Sequence, residues 1–407
     1  MTPNAARLAI AFSCAGHAAM HILTALYLTV VLTLVRGWER SYDELIGLWT
    51  LGALMIGLGA PVAGWLGDRW GEARMMVVFF LVTGGGCMAA GFVGGSLGLT
   101  LALAVLGLGA SIYHPVGLAW IVRAAVNRGR VMGINGIFGA VGVALAATIA
   151  GGLTTVSGWR AAFIVPGAVC VGLGLALLAC LLLGLVRDGQ ADRAPDITPP
   201  SRGDALRAFV FLSVTMAGAA MVFNAMQTAM PRLFELRMTD LLGADGQGLG
   251  VLGIGGLVTV VYLGVSSAQL VGGWLADRVP AKRLYSIGLI AMAAILAASA
   301  TLSGVPLLLA VTAALFVHGA VLPAENLLLA RYTPTGRRGL AFGAKFVLAF
   351  GVGPIAVQTV AITYGWTGGF AMLLFVLSGC GLVAWAAARF LPGERAPAPA
   401  VAAVPAE

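Results

Sequence analysis

Charged residues are scarce in this chain. Asp, Glu, Lys and Arg make up 10% of the 407 residues, whereas 60% are hydrophobic, and the mean hydropathy is +0.97. A soluble domain usually carries about a quarter charged residues, and so few charges could not cover a surface that faces water. The composition therefore excludes an ordinary soluble protein and indicates a chain that lies mostly within a lipid bilayer.

Several motifs that carry chemistry are also missing. The phosphate-binding pattern G-x-x-x-x-G-K-[ST] does not occur, which argues against an ATP-driven protein. No intramembrane Asp pair and no Ser–His–acid set is evident, so we expect neither an enzyme nor a catalytic residue, and no cofactor. The few cysteines all fall inside apolar runs without metal-ligand spacing, so neither disulfides nor a metal site is expected. They are Cys14, Cys87, Cys170, Cys180 and Cys380.

Long apolar runs dominate what is present. Twelve of them are long enough to span a bilayer, since a spanning helix needs about 20 largely apolar residues. The polar, Pro-bearing segment 187–206 separates six runs from six and predicts a cytoplasmic linker. We therefore predict an all-α membrane protein with twelve transmembrane helices in two six-helix halves, 1–186 and 207–392. The Ala/Pro-rich tail 393–407 is predicted to be disordered.

The basic residues are distributed unevenly between the two ends of these runs. If both termini lie on one side, 18 of the 24 Lys and Arg residues fall in segments on that side and only 5 on the other. Cytoplasmic loops of membrane proteins carry such an excess. Both termini are therefore predicted to be cytoplasmic.

The two halves repeat each other. Three landmarks recur at nearly one offset, which makes duplication far likelier than coincidence. They are GWLGDR at 64–69 with GWLADR at 273–278, Pro115 with Pro323, and Gly-Trp at 158–159 with Gly-Trp at 365–366, at offsets of 209, 208 and 207.

The segment 64–74 (GWLGDRWGEAR) resembles the major facilitator loop signature, G-x-L-x-D-R-x-G-R-[RK]. That resemblance implies pseudo-symmetric halves around a midplane site and transport by alternating access. It also implies a gating role for the loop, in which the Asp helps to lock the outward-open state. Glu72 stands where the family has a basic residue, and Arg74 is expected to replace it. The gating candidates are Asp68, Arg69, Arg74, Asp277 and Arg278.

Two further stretches resemble the fosmidomycin-resistance branch of that superfamily: 16–21 (GHAAMH) and 107–116 (GLGASIYHPV). The branch exports drugs in exchange for protons, so the resemblance implies a proton-coupled antiporter in a bacterial inner membrane. Two acids of the branch are replaced here, by His21 and by Val116. Uptake or exchange of a small organic anion, a carboxylate or phosphonate, therefore stays open as the alternative.

Ionisable residues inside the predicted spans are few. An ionisable group in a bilayer is costly and usually faces a cavity where it functions. Glu325 is the one acid well inside a span, Lys345 is the one base, and all four histidines lie in spans. Since imidazole titrates near neutral pH, we predict proton coupling through Glu325, His17 and His114.

The same reasoning predicts a solute site on the helices that line the family's central cavity. A rise of about 1.5 Å per residue puts His17 and His318 near the midplane, and His114, Glu325 and Lys345 nearer the cytoplasm. Passive helix–helix hydrogen bonds and a static Glu325–Lys345 pair are the alternatives. Asn135 and Asn326 are secondary candidates. The predicted substrate-binding residues are His17, His21, Tyr27, His114, Asn224, Gln227, His318 and Lys345.

Taken together, these patterns predict a secondary transporter that exports a small organic solute in exchange for protons. Its expected partners are the solute, protons and the lipid bilayer. We expect a monomer that does not bind nucleic acid.

Overall fold

The computed structural model describes residues 3–125, 127–186, 202–239, 250–333, 345 and 347–392. Within these residues the secondary structure is helical and contains no strand. Twelve helices, from 19 to 35 residues long, are apolar and long enough to cross a membrane. They are α1 (Asn4–Gly37), α2 (Tyr42–Trp70), α3 (Glu72–Phe92), α4 (Ser96–Ala124), α5 (Arg130–Ser157), α6 (Trp159–Leu182), α7 (Gly203–Arg237), α8 (Gly250–Ala276), α9 (Ala281–Ser299), α10 (Gly304–Tyr332), α11 (Val347–Thr367) and α12 (Ala371–Arg389). The predicted all-α fold with twelve spans is confirmed.

The helical fold follows from the solvent that the composition implies. A bilayer offers no water to backbone N–H and C=O groups, so each spanning segment must satisfy its own by helix formation. The seventh helix begins at Arg202, so residues 202–206 of the predicted linker are helical. Asp204 in its first turn suits a helix N-terminus. Residues 187–201 and the predicted tail 393–407 lie outside the described residues.

Two of the twelve helices contain an irregular turn. The α2 span starts as a short helical segment, Tyr42–Gly47, with Leu48 between it and the rest. Within α4, residues Tyr113–Gly117 form a π-helical turn. Pro115 lies in this turn and has no N–H to donate to the helix. The wider turn sets the direction of His114, and such turns are frequent at functional sites.

The duplication is visible in the packing of equivalent helices. A Cβ added to Gly107 of α4 would lie under 3.0 Å from the Gly52 carbonyl oxygen of α2, and one added to Gly272 of α8 would lie equally close to Ala320 of α10. Small residues allow such close approach between membrane helices. The repeated loop motif also repeats its geometry: the Arg69 guanidinium lies 4.0 Å from the Trp65 ring centre, and Arg278 lies 4.2 Å from that of Trp274.

The halves contact each other along several helix pairs, among them α5 with α8 and α2 with α11. The hydroxyl oxygens of Thr148 in α5 and Thr259 in α8 are 2.7 Å apart. The Gln358 amide of α11 donates to the Thr50 hydroxyl of α2 at 2.6 Å. The remaining space between the halves is where a central site can form.

The close approach of α8 and α10 makes a testable prediction about two adjacent glycines. Gly272→Ala places a methyl group against the Ala320 backbone, so we expect the protein to lose about 1–3 kcal/mol of stability through overpacking. Gly273→Ala is the matched control, because nothing lies within 4 Å of its added Cβ. Thermal unfolding of the purified protein in detergent measures both. A Gly272→Ala midpoint equal to that of Gly273→Ala would contradict the packing described.

Candidate functional site

A cavity of about 90 Å³ lies between the two halves. Polar lining groups come from both sides, His21 and Thr24 from α1, and Asn224, Gln227 and Thr228 from α7. No Asp, Glu, Lys or Arg is among the described residues that line it. The other lining residues are Met20, Leu28, Trp49, Ala53, Ile56, Phe223, Phe350, Gly353 and Val357. A site of this kind offers neutral hydrogen-bonding groups within an apolar wall.

Three of the four histidines meet at one edge of this cavity. The ring centres of His17 and His21 are 5.1 Å apart, and the ring of His114 lies 5.4 Å and 5.7 Å from them. His17 and His21 share one face of α1, and the π-helical turn of α4 brings in His114. The predicted difference in level between His17 and His114 is not seen at their rings. Counting residues along separate helices does not include how neighbouring helices are shifted, nor the extra residue in a π turn.

His17 is held in a defined orientation. Its Nδ1–H donates to the Asn135 carbonyl oxygen at 2.8 Å, and its ring stacks on Tyr113 with centres 4.8 Å apart. Asn135 also donates from its amide to the Tyr113 hydroxyl at 2.8 Å, and that hydroxyl donates to the Ser13 carbonyl oxygen at 2.9 Å. A Cβ at Gly139 would overlap the His17 ring, so the glycine provides the space for it. Because a carbonyl only accepts, Nδ1 carries the proton and Nε2 carries the lone pair.

The buried charges of the other half form one network. The Lys345 ammonium lies 2.6 Å from the Glu325 carboxylate, which is 2% exposed. The second carboxylate oxygen accepts from the Tyr285 hydroxyl at 2.6 Å, and Lys345 donates to the Asn326 side-chain oxygen at 2.6 Å. Both charges are therefore satisfied, as burial in a membrane protein requires. The sequence had left open whether Glu325 and Lys345 pair.

His318 belongs to the same half but lies behind the cavity wall. It stacks on Phe223 with ring centres 5.4 Å apart, and Phe223 lines the cavity. Its Nδ1 is buried and makes no hydrogen bond to the described residues. Rotation of Phe223 would expose this imidazole to a solute.

Tyr27 is a predicted site residue that does not line the cavity. It is 1% exposed, its hydroxyl donates to the Leu45 carbonyl oxygen, and its ring packs near Phe163. Tyr27 thus packs inside the N-terminal half. The sequence placed Tyr27 in the first span, but the position of a residue along a helix does not determine which face of that helix meets the cavity.

One end of the molecule is closed by contacts between the halves. Arg36, at the end of α1, lies 2.7 Å from the Glu235 carboxylate in α7, and Glu235 also pairs with Arg232. Nearby, the Tyr42 hydroxyl donates to the Thr228 carbonyl oxygen at 3.2 Å, and the Tyr42 ring packs against Tyr364 of α11. These residues define the closed end. Sequence reasoning missed them because charges at span ends were used only to orient the chain.

The signature loop contributes to a charge cluster at the opposite end. Arg123 of α4 pairs with Glu72 and lies 3.4 Å from the Asp68 carboxylate. Arg74, expected to replace the family's basic residue, instead donates to the Trp70 carbonyl oxygen at 3.2 Å. The partner of Glu72 is thus Arg123, which is distant in sequence and is brought close by the packing of α4 on α2 and α3.

In the second copy of the loop, Asp277 and Arg278 make hydrogen bonds to backbone groups of α8. Arg278 donates to the Trp274 carbonyl oxygen at 3.0 Å, and the backbone N–H of Asp277 donates to the Gly273 carbonyl oxygen at 3.2 Å. Both side chains are exposed. The structure thus places the predicted gating residues at the end opposite the closed end, with different local partners in each half.

The comparison with known families agrees with this architecture. The family described as Major Facilitator Superfamily matches residues 8–258 and again 209–406. The chain belongs to this superfamily. Its twelve apolar helices, each long enough to cross a membrane, agree with a multi-pass membrane protein of this superfamily.

Named relatives match part of this chain. It is 32% identical over 141 residues to the probable sulfoacetate transporter SauU of Cupriavidus necator, which is 32% of each chain. It is 28% identical over 171 residues to the multidrug resistance protein B homolog of Mycobacterium tuberculosis, 40% of this chain and 31% of that one. The matches thus span about a third of the relatives' length.

Solved structures support the fold over nearly the whole transporter. A bacterial homolog of the human lysosomal transporter Spinster, in an inward-facing and occupied conformation, superposes with a TM-score of 0.73 at 15% identity. The match covers 96% of this chain and 95% of that one. The inward-facing and unoccupied form gives a TM-score of 0.68 at 16% identity.

The closed end makes a prediction about access to the cavity. Glu235→Gln removes the charge that links Arg36 to α7, and a hydrogen bond to a charged group contributes about 1.5–3 kcal/mol. We therefore expect Gln227→Cys, in the cavity, to react about tenfold faster with a membrane-impermeant thiol reagent added at the closed end.

The control for this experiment is Glu44→Gln. Glu44 is exposed and pairs only within its own half, 3.9 Å from Arg40, so the labelling rate should not change. The same protein without the introduced cysteine gives the background labelling of the native cysteines. Equal rates in Glu235→Gln and Glu44→Gln would show that the ion pair does not hold this end closed.

Proposed function

We propose that this transporter moves a small organic anion together with protons by alternating access, in the inner membrane of a bacterium. The observation that carries the proposal is the buried Glu325–Lys345 pair, 2.6 Å apart. The proposal also uses the cavity between the halves, which contains no acidic residue among its described lining. A buried ion pair is weak evidence for stability by itself, and such residues inside a membrane generally mark a pathway for solute or protons.

Lys345 is near the cavity lining in the sequence. Phe350, five residues after Lys345, lines the cavity. An ammonium has three N–H donors, of which Glu325 and Asn326 take two. Among the described residues no partner takes the third donor, which could bind an anionic group that enters from the cavity.

The pair also supplies a reason for coupling to protons. When an anion binds Lys345, it competes with the Glu325 carboxylate for the ammonium. A carboxylate that loses its cationic partner in a dry environment favours the protonated form. Binding of the anion and binding of a proton therefore promote each other, and both would cross the membrane in the same direction.

The cavity lining suits an anion better than a cation. Its polar groups, among them His21, Asn224, Gln227 and the two threonines, include N–H and O–H donors. An organic cation would find aromatic rings and carbonyl groups there but no carboxylate. The relative from Cupriavidus necator is named as a probable transporter of sulfoacetate, which is an organic anion, and this supports the substrate class.

A second candidate is export of an organic cation or amphipathic drug in exchange for protons. Similarity to a protein named for multidrug resistance favours it. The resemblance of 16–21 and 107–116 to the fosmidomycin-resistance branch, which is named for a phosphonate, favours only the exchange with protons. In this case a cationic solute and a proton would compete for Glu325. The two candidates predict opposite directions of proton movement relative to the solute.

The charge distribution supports an orientation. With both termini in the cytoplasm, as the excess of basic residues favours, the closed end formed by Arg36, Tyr42 and Glu235 faces the outside. The structure then corresponds to a state closed to the outside. The charge cluster of Asp68, Glu72 and Arg123 lies on the cytoplasmic side, where the signature loop is expected to act in gating.

Proton movement in proteoliposomes tests the proposal directly. A sulfonate, a dicarboxylate, a phosphonate and an amphipathic amine would be added outside vesicles that contain a pH indicator. We expect an anion to acidify the lumen as it enters. In Glu325→Gln, solute-driven proton movement should fall at least about tenfold while solute–solute exchange continues, because exchange does not require a change in protonation.

Glu44→Gln is again the matched control, because it changes an exposed glutamate far from the network. Alkalinisation driven by the amine would favour the export candidate. Proton movement that is unchanged in Glu325→Gln would contradict coupling through this carboxylate under either candidate.

The pair also makes a prediction about stability. Lys345→Gln leaves the buried Glu325 without its cation, which typically costs about 3–5 kcal/mol, whereas removing both charges is often nearly neutral. We expect Lys345→Gln to lower the thermal midpoint in detergent and the double variant Glu325→Gln/Lys345→Gln to recover most of it. Both should lose anion transport. Recovery of transport in the double variant would mean that the pair is only structural.

A further inference from the structure

We propose that His17, His21 and His114 form a binding site for a divalent transition-metal ion of the Zn²⁺ type. One ring nitrogen from each residue can be chosen so that all three lie within 4.8 Å of one another. The cysteine spacing could not predict such a site, because its donors are imidazoles from two helices. The i, i+4 spacing of His17 and His21 was the available signal, since it places two histidines on one helix face.

The three nitrogens are close to the separation that a metal ion requires. With Zn–N bonds of about 2.0–2.1 Å, two ligands of a tetrahedral ion lie about 3.4 Å apart. The widest separation here must therefore shrink by about 1.4 Å. Rotation of the imidazoles about their side-chain torsions provides this, and His21 is free to turn toward the cavity that it lines.

His17 already has the hydrogen bond that metal-ligating histidines usually have. Its Nδ1–H donates to the Asn135 carbonyl oxygen at 2.8 Å, which directs the lone pair to Nε2. Metal-binding histidines almost always donate their second ring N–H to a carbonyl or carboxylate in this way, which fixes tautomer and orientation. Asn135 is itself held by Tyr113, on which the His17 ring stacks.

The ligand set leaves a coordination position available. Three protein ligands with a fourth position for water or another group are typical of open zinc sites, and three histidines are one of the known sets. No carboxylate of the described residues belongs to the cluster, so the site would keep the full positive charge of the ion. His21 borders the cavity, and the fourth position is therefore reachable from it.

A bound ion would add positive charge beside the solute cavity. An anionic solute could then occupy the fourth position, a consequence that depends on the proposed function. Binding of the ion itself does not depend on it, because it needs only the three imidazoles. Failure of the proposed anion transport would therefore not exclude metal binding, and failure of metal binding would not exclude anion transport.

Direct binding measurements test the site. The full chain would be purified with a tag that contains no histidine, stripped with a chelator and titrated with Co²⁺, followed by its visible absorption and by calorimetry. We expect saturable binding of one ion per chain, displaced by Zn²⁺. His21→Ala and His114→Ala should each weaken binding at least about tenfold. Binding should also weaken as the pH is lowered, since protons compete for the imidazole nitrogens.

His318→Ala is the matched control, because His318 also lies within a span but belongs to the other half. It should bind like the wild type. The thermal midpoint of each variant shows whether it is folded, and His21→Gln provides a milder second change. The proposal is overturned if the wild type does not bind Co²⁺, or if His21→Ala and His114→Ala bind it as tightly as the wild type does. Loss of Co²⁺ binding in His318→Ala would also overturn it.

Discussion

A charge inside a bilayer must be paired or hydrated, and the arrangement of this transporter depends on that constraint. Glu325 and Lys345 satisfy each other and recruit Tyr285 and Asn326 to complete their hydrogen bonds. Each of these contacts joins α10 either to α9 or to Lys345. Removing one partner of such a pair is costly, because it leaves the other charge buried and uncompensated.

The two halves share one architecture but differ in their polar groups. The N-terminal half presents three imidazoles to the cavity edge, which need no counter-ion while they are neutral. The C-terminal half places an ion pair at the related depth. Close glycine contacts such as Gly107 with Gly52, and Gly272 with Ala320, keep the paired helices of each half rigid. The duplicated scaffold is thus retained, and its chemistry has diverged at the surfaces that face each other.

The ion pairs at the two ends of the bundle join different parts of the molecule. At the closed end, Glu235 links the halves through Arg36. At the opposite end, Arg123 joins Glu72 and Asp68 within one half. An ion pair between halves must break for the end to open, whereas a pair within a half can persist. The two ends therefore differ in what opening would require of their ion pairs.

Several features followed from the sequence alone. Twelve apolar runs and the cost of unpaired backbone groups in lipid were enough for the number of helices, and the repeated GWLxDR segment was enough for the duplication. The rarity of charge inside the runs singled out Glu325 and Lys345. These inferences succeed because they depend on local composition, which one-dimensional reasoning can read directly.

Tertiary structure decided which side chains meet. Tyr27 and His21 lie on the same helix, yet of the two only His21 lines the cavity, because the rotation of α1 depends on its neighbours. Arg123 rather than Arg74 pairs with Glu72, and His114 joins His17 through a π-helical turn that no periodicity predicts. Contacts between residues a hundred positions apart depend on how helices are packed and shifted, and that information is not contained in any single segment of the sequence.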